Sequence, residues 1–191
     1  MTLTAIILAG GQSRRMGVDK ARLVWEGAPL LERVCSVTLS VSLPVWVIGR
    51  QRPADWPTKL EAVSFAEDNA RGYGPLGGLQ TALKLEDGPA LMLACDLPLL
   101  SSEGLRWLIA EVQSARTGAH GLVTMRDGRW EPLFSYYTPA CLPLIETQIA
   151  QGRLSLRALI EAGDFGQVEV PDWLAGQLVN VNTPEEFREL G

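Results

Sequence analysis

Four short stretches of the chain gather residues able to do phosphate chemistry. The first is "LAGGQSRRMGVDK", residues 8–20, where an apolar run stops at Gly10 and Gly11 and is followed by Arg14, Arg15 and Lys20. Glycines let backbone N–H groups approach an anion, and successive N–H groups form an anion nest. An arginine can then grip a phosphate by forked hydrogen bonds, and a lysine can neutralise it as a point charge. The competing reading is a tight turn with solvated cations. The stretch is neither the dinucleotide fingerprint G-x-G-x-x-G nor the phosphate loop G-x-x-x-x-G-K-[ST].

The second stretch, "LACDLPLL", leaves Asp96 at the end of an apolar run. A carboxylate there suits Mg²⁺, which takes one or two carboxylates plus phosphates and water. It equally suits an Asp that satisfies N–H groups of the next turn. In the third, "AEDNARGYGPLGGLQTAL", Asp68 ends an apolar run and Gly77-Gly78 weaken the start of a helix. Either a base or ribose lies close to that backbone, or this is ordinary loop chemistry. The fourth is "LVNVNTPEEFREL". Thr183 as N-cap, Pro184 at N1 and Glu186 at N3 form a capping box. That leaves Asn180 and Asn182 unexplained. As alternate residues of a strand they share a face and offer two amides to a second, polar substrate.

These stretches need a scaffold that brings them to one edge. Strand-like runs are expected at Thr4–Leu8, Val45–Ile48, Ala62–Phe65, Ala90–Cys95, Leu122–Met125, Leu133–Tyr137, Val168–Val170 and Leu178–Val181. Helices are expected at Pro29–Ser40, Pro75–Leu85, from Ser101 or Ser102 to about Arg116, and at Pro139–Ala150, Ser155–Ala162 and Pro184–Leu190. Such alternation predicts an α/β fold of three layers, a mostly parallel sheet with helices on both faces. In open parallel sheets ligands bind at the carboxyl ends of strands, which is where Gly10, Gly11, Asp68 and Asp96 fall. The loop "RQRPADWPTK" reads as the least ordered segment. Trp25, Trp46 and Trp107 read as core or half-buried anchors.

At 191 residues with net charge −5, the chain is expected to form a single domain over 1–191, without bulk attraction to nucleic acid or anionic membrane. No apolar run has the length of a membrane span, and no export signal is visible at the N-terminus. Cys35, Cys95 and Cys141 form no C-x-x-C pair, which fits a reducing cytoplasm. With His120 the one histidine, zinc sites and a Ser-His-Asp triad are disfavoured.

Taken together, "LAGGQSRRMGVDK", "EDNARGYGPLGGL", "ACDLPLL" and "NVNTPEE" resemble, in order, the motifs of the nucleotidyltransferases that include molybdenum cofactor guanylyltransferase. The resemblance runs from Leu3 to the C-terminal helix and implies a Rossmann-like nucleotidyltransferase fold. It implies transfer of GMP from Mg-GTP to the terminal phosphate of molybdopterin, with Mg²⁺ as cofactor. GTP and molybdopterin are then the partners, with other cofactor-biosynthesis proteins or apo-molybdoenzymes as further contacts. By motif, Leu8, Ala9, Gly10, Gly11, Asp68, Gly77 and Gly78 would line the nucleotide. Arg15 and Lys20 would clamp phosphates, Asp96 would hold the metal, and Asn180 and Asn182 would face the pterin. The glycine pair of "LAGG", where cytidylyl relatives commonly have "LAAG", favours GTP. The family's Asn after the second strand is absent from "VWVIGR", where Ile48 or Gly49 stands. Rival readings are a cytidylyltransferase or another transferase of the same fold, a non-catalytic nucleotide binder, and a dinucleotide-dependent oxidoreductase, which the missing G-x-G-x-x-G disfavours.

Overall fold

A computed structural model describes residues 3–10, 19–68, 72–114 and 117–180. Its strands are β1 (Thr4–Leu8), β2 (Val24–Trp25), β3 (Ala28–Pro29), β4 (Val45–Ile48), β5 (Ser64–Ala66), β6 (Ala90–Ala94), β7 (Gly121–Arg126), β8 (Arg129–Trp130), β9 (Phe134–Tyr137) and β10 (Phe165–Glu169). The helices are α1 (Leu30–Ser40), α2 (Gly74–Glu86), α3 (Ser102–Ser114), α4 (Cys141–Ala150), α5 (Leu156–Ala162) and α6 (Asp172–Ala175). Short 3-10 turns occupy Lys20–Arg22, Thr58–Leu60 and Gly176–Leu178.

The central five-stranded sheet has the order β5-β4-β1-β6-β9. β1 runs parallel to β4 and β6, β4 runs parallel to β5, and only β9 is antiparallel to its neighbour. A three-stranded sheet, β10-β7-β8, lies beside β9. There Thr124 donates to the carbonyl of Phe134, and the backbone N–H of Thr138 donates to the carbonyl of His120.

Alternation along β1 explains the three layers. Ala5 and Ile7 face α1 and α3, in a core with Leu31, Val34, Leu105 and Leu108. Ile6 faces the other way, into a core with Leu76, Leu79, Ile145 and Leu159 from α2, α4 and α5. All three β1 residues are fully buried, so the strand reads as a continuous apolar run without polar alternation. Trp25, Trp46 and Trp107 are half-buried.

Local chemistry sets the boundaries. The Ser101 hydroxyl accepts from the N–H of Gly104 and the Ser155 hydroxyl from that of Ala158, capping α3 and α5. Pro29 pairs with Val24 in a small hairpin, so α1 begins one residue later than its proline suggests. β5 starts at Ser64 because Val63 still closes a turn onto the carbonyl of Leu60.

Two expectations are corrected. Leu178 opens no strand; it ends a 3-10 turn, and Val179 and Asn180 carry no strand assignment. Leu174 and Leu178 are both buried against the α1 and α3 side, and a four-residue spacing suits a helical path. The loop "RQRPADWPTK" is held down. The Trp56 indole donates to the carbonyl of Leu60 at 2.9 Å and meets Phe65 edge-on at 4.8 Å. Arg52 donates to the carbonyls of Glu61 and Val63. The helix at Pro184–Leu190 and its capping box lie outside the described residues, as do Gly11, Arg14, Arg15 and Asn182. Among the described residues no helix is long and apolar enough to cross a membrane.

Candidate active site

The carboxyl ends of β1, β4, β5 and β6 lie side by side, because those strands are parallel neighbours. Leu8 ends β1, with Ala9 and Gly10 following. Beside it Ile48 ends β4, and the chain turns at Gly49, whose φ is +102°. The two turns touch: a Cβ on Gly10 would lie 2.6 Å from the Gly49 Cα, so both positions require glycine. Ile48 is buried in the α2-side core. Neither Ile48 nor Gly49 therefore supplies a polar side chain in place of the family's Asn.

Lys20 and Asp96 come together across 76 residues of sequence, Nζ to Oδ2 at 3.3 Å. Their side chains are only 20% and 16% exposed, so the pair is shielded yet reachable. Lys20 opens the 3-10 turn, which the Asp19 carboxylate caps by accepting from the N–H of Ala21 at 3.2 Å. Arg50, directly after Gly49, donates through Nε to the carbonyl of Ala9 at 3.1 Å. Its Nη2 donates to both oxygens of Asp19, at 2.8 and 2.9 Å. Two cations and two carboxylates thus form one network across the ends of β1, β4 and β6.

Asp68 follows β5, and the buried Thr81 of α2 donates to it at 3.1 Å. Its neighbour Glu67 accepts from Gln51 at 2.7 Å. Gly77 and Gly78 lie buried in the first turns of α2. A Cβ on Gly78 would come 2.6 Å from a methyl of Leu8, so this glycine also lets α2 pack onto the end of β1. Asn180 follows the 3-10 turn Gly176–Leu178. Three residues earlier, Gln177 accepts from the N–H of Ser101 in the loop that leaves Asp96.

Among the described residues no cysteine or histidine is prepared here as a nucleophile. Burial, followed by the neighbouring Asp96 carboxylate, pushes the Cys95 thiol up to about 12, so it stays protonated. His120 is distant in role as well as sequence: its Nδ1 accepts from the N–H of Asp164, beside Phe165. Among the described residues no three His, Cys, Asp or Glu side chains cluster as a metal cage. One hard carboxylate at a strand end fits instead a divalent cation that completes its shell with substrate oxygens and water.

Residues 5–168 match the family model described as the MobA-like NTP transferase domain. The chain belongs to the MobA-like NTP transferase family. It is 34% identical over 190 residues to the probable molybdenum cofactor guanylyltransferase of a Nostoc species, covering 97% of this chain and 88% of that one. A relative of the same description from Mycolicibacterium paratuberculosis is 36% identical over 197 residues, covering 100% and 95%. Among solved structures, the molybdopterin-guanine dinucleotide biosynthesis protein A of Archaeoglobus fulgidus superposes with a TM-score of 0.79 at 24% identity, covering 97% of this chain and 95% of that one. The 2-C-methyl-D-erythritol 4-phosphate cytidylyltransferase of Thermus thermophilus shares the fold alone, with a TM-score of 0.65 at 17% identity, covering 99% and 97%. As a MobA-like NTP transferase the chain is an enzyme with the expected Rossmann-like architecture.

Sequence reasoning singled out Lys20 and Asp96 but passed over Asp19 and Arg50. The signals were present: a carboxylate directly before the lysine, and an arginine directly after the glycine that ends β4.

Proposed function

We propose that this MobA-like transferase moves GMP from Mg-GTP to the terminal phosphate of molybdopterin, releasing pyrophosphate and forming the guanine dinucleotide cofactor. The observation that carries the reading is the shielded Lys20–Asp96 pair at the carboxyl ends of the parallel strands. Family membership and the relatives' descriptions support GTP as donor and molybdopterin as acceptor.

In this reading an oxygen of the acceptor phosphate forms a bond to the α-phosphorus of GTP. The bond from that phosphorus to the α,β-bridging oxygen breaks, and its electrons leave with pyrophosphate. Such a transfer asks for positioning and charge neutralisation more than for a nucleophilic side chain. The backbone at Leu8, Ala9, Gly10 and Gly11 lies along the nucleotide, with Asp68, Gly77 and Gly78 on its flank. Arg15 and Lys20 neutralise the phosphates. Asp96 holds Mg²⁺, which supplies further neutralisation of phosphate charge when bound. As nucleotide enters, Lys20 exchanges its long contact with Asp96 for phosphate oxygens. Asn180 and Asn182 face the pterin. Residues 1–191 act as one domain. The three cysteines are free thiols, consistent with the cytoplasm.

The test is a nucleotide panel with molybdopterin as acceptor, following pyrophosphate and dinucleotide product. GTP should be the preferred donor. Preference for CTP, or no product with any nucleotide, rejects the reading. For the acceptor side, the doubly substituted Asn180→Ala, Asn182→Ala protein should bind molybdopterin more weakly, by about 0.5–1.5 kcal/mol per lost amide contact, with Mg-GTP affinity held. If GTP binding falls and pterin binding does not, these residues belong to the donor side.

A further inference from the structure

Arg50 has no part in the reaction described so far, yet it touches two of the segments that carry it. Its Nε donates to the Ala9 carbonyl where β1 ends, and its Nη2 spans both oxygens of Asp19. The same Asp19 Oδ1 accepts from the N–H of Ala21 and so caps the turn that begins at Lys20. One guanidinium therefore fixes the residue directly before Lys20 against the end of the first strand. A lysine ammonium is a point charge and lacks the planar, spread donors for a carbonyl and a carboxylate at once.

The path to this position is built into the backbone. Gly10 and Gly49 are in contact where β1 and β4 end, and Gly49 takes a positive φ of +102°. That turn delivers the next residue, Arg50, across the end of β1. Its side chain is 18% exposed, well shielded for an arginine. As a surface ion pair alone, the Arg50–Asp19 contact would contribute little. Its weight lies in what it aims.

We propose that Arg50 is a positioning residue for phosphoryl transfer: it locks the Asp19–Lys20 turn onto the end of β1, so that the Lys20 ammonium meets the nucleotide phosphates from a fixed direction. The role rests on the reading of Lys20 as a phosphate ligand in GMP transfer. Without the lock, the turn still forms through its own backbone bonds, but the ammonium is no longer held in register with Asp96.

The experiment combines kinetics with amide exchange on the full chain. Arg50→Ala should lower kcat/KM for Mg-GTP about 10- to 100-fold, the scale expected when a charge-neutralising group is displaced by about an ångström. Arg50→Lys should recover little of that loss, and Asp19→Asn, which weakens the same tether from the other side, should reproduce part of it. In a Lys20→Ala background, Arg50→Ala should cost almost nothing further, because two residues that act as a unit are not additive. The amides of Ala21, Arg22 and Leu23 should exchange faster in Arg50→Ala and Arg50→Lys, while those of Ile6 and Leu93 stay protected. Unchanged exchange in the turn, or the same fold-loss with and without Lys20, overturns the proposal. If the wild-type protein transfers no GMP, the functional reading falls; the exchange comparison still decides whether Arg50 holds the turn.

Discussion

Two ion pairs of similar exposure are built in opposite ways in this molecule. Arg126 and Glu131 stand five residues apart on the β7–β8 hairpin, with Nε and Nη2 both on Oε1 at 2.7 and 2.6 Å. Nη1 goes on to the carbonyl of Ala175. The two contacts to Oε1 are short and converge, and the third, at 3.3 Å, joins the hairpin to α6. Lys20 and Asp96 stand 76 residues apart and meet at 3.3 Å, at the outer edge of hydrogen-bond geometry. The first pair is a local clasp whose donors are committed to the fold. The second is assembled by the sheet, and in the proposed reaction its charges would be exchanged for an incoming anion and cation. Burial alone would not separate the two; contact geometry and sequence separation do.

The sharpest way to break that contrast is to remove Asp96. Asp96→Asn should lower kcat roughly 10³-fold, since a lost metal-holding carboxylate removes several kcal/mol of charge stabilisation. Mg-GTP affinity should change far less. Near wild-type turnover at saturating Mg²⁺ would take Asp96 out of the metal's shell. Next in size is Lys20→Ala, expected to lower kcat about 10²-fold. Its melting temperature should move by only a few degrees, because a partly exposed pair contributes roughly 0–1 kcal/mol. A protein that instead melts early, with normal activity per folded molecule, would make Lys20 a second clasp.

Smaller effects sharpen the picture. Gly11→Ala should shift the ratio of kcat/KM for GTP over CTP about tenfold toward CTP, the scale of methyl-sized discrimination. An unchanged ratio places base selection elsewhere, with Gly77 and Gly78 the next positions to test. Smallest for catalysis is Arg126→Ala. Chemical denaturation should show a loss of about 1–2 kcal/mol, while turnover per folded molecule stays at the wild-type level. A large fall in turnover there would erase the distinction between the clasp and the site.

Much of the scaffold was legible because strong signals were local. β1, β4 and β6 are apolar runs ended by Gly or Asp, and they occur at or within a residue of the expected places. α3 and α5 begin where Ser101 or Ser102 and Ser155 were expected to start them, with Ser101 and Ser155 serving as the caps. The misses have separate causes. The strand expected at Leu178–Val181 was read from β-branched residues, but the Leu174–Leu178 spacing and a buried face won locally. The hairpin of Val24–Trp25 with Ala28–Pro29 is two residues on each side, too short for periodicity to register. Arg50 reaches Asp19 and Ala9 across 31 and 41 residues, so no window of sequence could show the contact.

By itself the sequence determined the main strands and helices around β1, β4 and β6 and the placement of glycines and carboxylates just past strand ends, and its single histidine disfavoured a Ser-His-Asp machinery. Those are properties of short segments: apolar runs, caps, and residue types that either can or cannot do a given chemistry. Tertiary structure decided which of those residues meet. It paired Lys20 with Asp96, set Gly10 against Gly49, seated Leu8 on Gly78, and turned Arg50 from an ordinary loop cation into the link between β1 and the Lys20 turn. The physical reason is that parallel strands are joined by long crossovers. Neighbours at their carboxyl ends are therefore far apart in the chain, and only the assembled sheet brings their side chains within hydrogen-bond reach.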